Sequence, residues 1–123
     1  MLDDANYIFL PAAKTGDVAE GTATKVSVGD CDIALFNVGG TFYATAESCT
    51  HAFASLVDGY IDGDEVECPL HGARFSIPTG EVLAEPATEN LAVYPVRVED
   101  DLILIGIPRT LSSRRHPKCS AGA

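Results

Sequence analysis

Cys49-Thr50-His51 and Cys68-Pro69-Leu70-His71 set two thiols and two imidazoles on two short segments with sixteen residues between them. Each segment offers one sulfur and one nitrogen donor. Residues two apart in an extended or turning segment send their side chains to the same side. Cys49 and His51 can therefore reach two adjacent metal atoms, one each. A mixture of thiolates and imidazoles on two loops suits an iron–sulfur cluster with one iron held by sulfur and the other by nitrogen. Two cysteines and two histidines are also a set used by structural zinc, although zinc sites usually leave two to four residues between paired ligands and Cys49-Thr50-His51 leaves one. A Cys–His pair acting as nucleophile and base is a third chemistry, but two matched pairs exceed what one nucleophile needs.

The two spacings, with Pro69 after the second cysteine and Gly72 after the second histidine, resemble the Rieske motif. The resemblance implies a [2Fe-2S] cluster, with Cys49 and Cys68 on the inner iron and His51 and His71 on the outer one. Neutral imidazoles in place of two thiolates make the cluster less negative and easier to reduce. Rieske centres accordingly lie at roughly −150 to +300 mV, against about −400 mV for plant-type ferredoxins. Hydrogen bonds to the sulfurs set the value within that range. Respiratory Rieske proteins place a Ser and a Tyr hydroxyl just after the second loop; Ala73 and Phe75 stand at the matching positions here. The expected potential is therefore near the low end, about −150 mV. Respiratory members also carry one extra cysteine per loop, joined as a disulfide, and neither loop here has one.

The resemblance is thus to the soluble ferredoxin of bacterial aromatic ring-hydroxylating dioxygenase systems. It implies a carrier that takes single electrons from an NAD(P)H-dependent flavoprotein reductase and hands them to a terminal oxygenase. The chain is too short to house an oxygenase's mononuclear iron, and His116 is the single histidine left over, so no two-His-one-carboxylate set can form. The alternative is a small Rieske-like subunit of nitrite reductase, disfavoured because such subunits often lack the ligands, or a domain of another redox system, regulatory or biosynthetic. Family members place the histidine-bound iron outermost, so Ala52, Phe53, Leu70 and Pro86 are candidate rim and docking residues, Pro86 in a loop that shields the cluster.

At 123 residues and 46% apolar composition the chain suits one domain with one modest core. No apolar run is long enough to span a membrane, and Met1-Leu2-Asp3-Asp4 is acidic, so a cytoplasmic monomer is expected. Residues 1–108 hold all eighteen acidic side chains against Lys14, Lys25, Arg74 and Arg97, a formal charge of −14, while residues 109–123 carry four basic ones. The acidic body argues against nucleic-acid binding and suits steering toward basic partner surfaces. Residues 109–123 read as a disordered basic tail. Cys31 and Cys119 are expected to be free thiols in a reducing compartment.

The elements that must position the four candidate ligands read as all-β. The resemblance implies a Rieske β-sandwich, with a base of antiparallel strands and a smaller cluster-binding subdomain at about residues 47–80. Tyr7 to Leu10 reads as a strand ended by Pro11. Residues 24–28, 32–38 and 41–45 form a meander with a tight Gly39-Gly40 hairpin. Residues 65–67, 75–77 and 81–83 supply short strands around Pro78-Thr79-Gly80. Residues 91–98 and 102–107 form a last hairpin, with Pro95 marking an edge or a bulge.

Overall fold

A computed structural model describes residues 7–29, 31–48, 55–69, 72–84 and 90–108. Eleven strands run through them: β1 (Tyr7–Lys14), β2 (Thr22–Val28), β3 (Cys31–Val38), β4 (Thr41–Ala46), β5 (Tyr60–Asp62), β6 (Glu65–Glu67), β7 (Arg74–Ser76), β8 (Val82–Ala84), β9 (Val93–Tyr94), β10 (Val96–Glu99) and β11 (Leu102–Pro108). They form three antiparallel sheets, ordered β1-β11-β10, β2-β3-β4-β9 and β5-β6-β7-β8. The first two make the base. The third is the smaller unit that follows the first ligand segment and carries the second. Among the described residues, no helix is long and apolar enough to cross a membrane.

β3 is the middle of this arrangement, because period-two alternation sends successive side chains to opposite faces. Cys31, Ile33 and Leu35 pack on one face with Ile103, Ile105 and Ile107 of β11. Ala34 and Phe36 pack on the other with Val66 and Phe75 of the third sheet and with Ile77, just past β7. Residues 33–36 are 0% exposed, so the strand reads as a continuous apolar run, as strands covered on both faces do. The three sheets therefore stack around two apolar cores that share one strand.

The expected meander and the Gly39-Gly40 hairpin are present. β2, β3 and β4 pair in sequence, and Gly39 and Gly40 have φ of 62° and 90°, the left-handed pair that a two-residue hairpin turn demands. Three expectations differ. Pro11 does not end β1, which continues to Lys14 with a shift of register between Pro11 and Ala13. β1 is the edge of its sheet, where a missing N–H is tolerated. Residues 91–98 are not one strand. The chain leaves the middle sheet after β9 and enters the outer sheet as β10, and Pro95 sits at the crossing, its carbonyl accepting from Gly106 N–H at 2.9 Å. Cys31 opens β3, is buried, and is disulfide-bonded rather than a free thiol; its partner lies outside the described residues. The tail at residues 109–123 also lies outside them.

Tyr94 closes the base core at 7% exposure. Burial disfavours the phenolate and pushes its pKa up to about 12. The unfolded chain releases that proton near pH 10, so the contribution is whole below pH 10 and is lost as pH rises from 10 to about 12. The melting temperature of the wild-type protein should fall across that interval, with a loss on the order of 2 kcal/mol. Tyr94→Phe should show a flatter profile over the same interval in parallel thermal scans; equal slopes would show that another group titrates.

Candidate metal centre

The described residues that flank the two candidate ligand segments are tied by backbone hydrogen bonds. The second runs between β6 and β7. Glu67 pairs with Arg74 across the ladder, and one step further Cys68 N–H donates to the Ala73 carbonyl at 2.7 Å. The chain is thus closed at Cys68 and Ala73, on either side of the second segment. The first loop follows β4. Ser48 and Ser55 face each other in an antiparallel bridge, and Leu56 N–H donates to the Glu47 carbonyl at 2.9 Å. Leu56–Asp58 then makes a single 3-10 turn.

The necks converge. Leu56, just past the first, is 0% exposed and belongs to the same apolar group as Cys68, Ala73 and Phe75. Gly59 lies against β6 so closely that a Cβ there would collide with the Glu67 carbonyl. The chain leaving the first loop is thereby laid against the residue that precedes Cys68. Of the sequence-derived site residues, Cys68 is described, 1% exposed, on the inward face that Val66 begins. Cys49, His51 and His71 lie outside the described residues, as do the candidate rim residues Ala52, Phe53, Leu70 and Pro86. Ala73 and Phe75 are both 0% exposed in the apolar group that holds Cys68, and neither offers a hydroxyl.

Two features of this bed fit a metal–sulfur group. A thiolate among apolar side chains is costly to maintain alone, whereas a coordinating metal ion deprotonates a thiol outright. The second is Ser55, whose Oγ is buried with no hydrogen-bond partner. A buried hydroxyl left unpaired costs about 1–3 kcal/mol, a penalty that a bound acceptor would remove.

The third sheet's outer face is charged. Alternation that turns Val66 and Phe75 inward turns Glu65, Glu67 and Arg74 outward. Arg74 donates through Nε and Nη2 to Glu65 Oε1 at 3.1 and 2.9 Å, through Nη1 to Glu67 at 3.3 Å and through Nη2 to Asp62 at 3.3 Å. The hydrogen bond to Glu65 is the chief cause of a raised guanidinium pKa, so Arg74 stays charged at every working pH. One cation thus spans β5, β6 and β7 directly behind the second loop. In the sequence Arg74 reads only as charge. The signal available was its place in a one-in-two alternation with Ala73 and Phe75, among the acidic side chains at 62, 64, 65 and 67.

Comparison with known proteins agrees with this geometry. The model of the Rieske [2Fe-2S] domain family matches residues 8–95. The chain is 40% identical over 99 residues to the ferredoxin component of the naphthalene 1,2-dioxygenase system of Pseudomonas putida, covering 80% of this chain and 95% of that one. It is 48% identical over 98 residues to the 3-phenylpropionate/cinnamic acid dioxygenase ferredoxin subunit of Shigella flexneri serotype 5b, covering 79% and 92%. The fold matches a chain in the complex of reduced oxygenase and oxidized ferredoxin in carbazole 1,9a-dioxygenase with a TM-score of 0.75 at 39% identity, over 80% of this chain and 92% of that one. A nitrite reductase small subunit matches at a TM-score of 0.67 and 22% identity over 80% and 97% of the two chains, a likeness of fold alone. The chain therefore belongs to the Rieske [2Fe-2S] family, and its cofactor is a [2Fe-2S] cluster. Within that family it is of the ferredoxin kind, an electron carrier and not the oxygenase.

Arg74→Gln tests the outer face. The substitution leaves Asp62, Glu65 and Glu67 together without their cation, so the holoprotein should melt several degrees lower. Added salt should recover much of that loss by screening like-charge repulsion. A deficit that salt does not reduce would mean that Arg74 acts through its packing.

Proposed function

We propose that Cys49, His51, Cys68 and His71 hold the cluster, the two cysteines on the inner iron and the two histidines on the outer one. The chain would receive single electrons from an NAD(P)H-dependent flavoprotein reductase and pass them to a terminal ring-hydroxylating oxygenase. The observation that carries this reading is coverage: the match spans 95% of a dioxygenase ferredoxin component at 40% identity, so nearly all of that carrier has a counterpart here. The carbazole dioxygenase complex supports an oxygenase as the electron acceptor. We read residues 1–108 as the ferredoxin domain, with the cluster-binding part at about 47–80, and the protein as a cytoplasmic monomer.

When bound, the cluster supplies reversible storage of one electron. The chain's own part is to hold and shield it. The tied necks at Ser48/Ser55 and Cys68/Ala73 fix where the two ligand loops leave the sheet. Leu56, Ala73 and Phe75 exclude water from the side on which Cys68 sits. Because Ala73 and Phe75 carry no donor, the sulfurs lack the two hydroxyl bonds of respiratory members. The acidic charge of the body suits approach to basic partner surfaces.

Electron paramagnetic resonance of the dithionite-reduced protein, with a redox titration, tests the reading. A mixed-ligand [2Fe-2S] signal and a potential near −150 mV, the low end of the Rieske range, are expected. A clearly positive potential would overturn the low-potential reading, and a colourless, iron-free protein would overturn the carrier itself. Cys49→Ser and His71→Ala should each abolish the visible spectrum and much of the stability, since metal binding is linked to folding. A full spectrum in either variant removes that residue from the ligand set.

A further inference from the structure

We infer that the Ser55 hydroxyl donates a hydrogen bond to a sulfur of the bound cluster and raises its reduction potential. The inference rests on the cluster reading above and concerns a residue outside the ligand set.

Ser55 Oγ is buried with no partner. The buried polar residues Asn37 and Thr45 are both committed. Asn37 donates to the Val18 carbonyl at 2.8 Å and accepts from Gly40 N–H at 2.9 Å, and Thr45 donates to the Ala46 carbonyl at 2.9 Å. Among the described residues Ser55 Oγ alone is left open, and its place in the chain is specific. It faces Ser48, the residue before Cys49, across the neck of the first ligand loop, and it precedes Leu56, which packs in one apolar group with Cys68. An unmet donor at the root of a ligand loop, beside the bed of a second ligand, calls for an acceptor that arrives with the cofactor. Sulfide and thiolate sulfurs are acceptors of that kind. Donation to sulfur stabilises the more negative, reduced state, so it favours electron uptake. With Ala73 and Phe75 supplying no donor, Ser55 becomes the hydroxyl through which this chain sets its potential.

The test is a redox titration of purified holoprotein, wild type against Ser55→Ala and Ser55→Thr. Ser55→Ala should keep the visible spectrum and lower the equilibrium constant for reduction by up to about tenfold, a downward shift of up to about 59 mV for one electron. Ser55→Thr, which keeps the hydroxyl, should stay close to wild type. An unchanged potential in Ser55→Ala would overturn the inference and leave the hydroxyl to a buried water. If Ser55→Ala fails to load the cluster, Ser55→Thr decides: a potential lowered as far as the alanine expectation shows that the hydroxyl is not the determinant. In wild-type protein, exchange into D₂O should add a hydroxyl deuteron coupling to the reduced cluster's electron–nuclear spectrum; its absence also overturns the inference. A wild-type protein without any cluster spectrum would instead sink the carrier reading, so the two failures are distinct.

Discussion

Burial of β3 on both faces is the constraint on which this molecule depends. Each fully buried Ile, Leu or Phe is worth roughly 1.5–3 kcal/mol, and β3 spends that burial in two directions. Ile33 and Leu35 hold the outer base sheet, and Phe36 holds the sheet that carries the second ligand loop. Neither core can be repacked without moving a strand that the other also uses. The position of Cys68 is thus referred, through Phe36 and Phe75, to the most buried strand of the base.

The loops themselves are short and lack a bridging disulfide within them. What fixes them is backbone pairing at their necks, an apolar bed beneath, and a guanidinium behind. These act on different faces of one small sheet. The inner face is dry and excludes solvent from Cys68. The outer face is charged, and Arg74 offsets the repulsion of three carboxylates that short strands bring together. A three-residue strand such as β6 has few ladder bonds of its own, so side-chain ties on both faces matter more to it than to β3.

The family was legible from two spacings, because coordination chemistry leaves little freedom in residue type. The meander was legible too: alternation and Gly39-Gly40 are local signals, and local signals survive folding. What escaped were the tertiary outcomes. Pro11 reads as a stop because its ring removes a donor, yet an edge strand does not need that donor. Pro95 reads as part of one strand, whereas it lies where the chain changes sheets, and nothing near residue 95 states which sheet each side will join. The tie between Arg74 and Asp62 spans twelve residues and two turns, beyond the reach of pattern. Ser55 could be singled out only once its surroundings showed that it lacked an acceptor.

The way the chain enters and leaves the third sheet has its own consequence. β4 and β9 are hydrogen-bonded neighbours, Thr45 opposite Val93, and Ala46 N–H donates to the Ala92 carbonyl at 2.9 Å. Everything between them is an excursion that begins and ends on adjacent rungs of one ladder. The base closes whatever the excursion's length, and doubling such a segment costs only about 0.6 kcal/mol in closure entropy. Outside the contacts made by Ala34 and Phe36, and by Ala23, Val38 and Tyr43 packed beside them, the portion that carries Cys68 is a cassette: it can be lengthened, trimmed or exchanged between scaffolds that share the same two-strand doorway and the same apolar seat, which makes that doorway the natural splice point for transplanting redox centres.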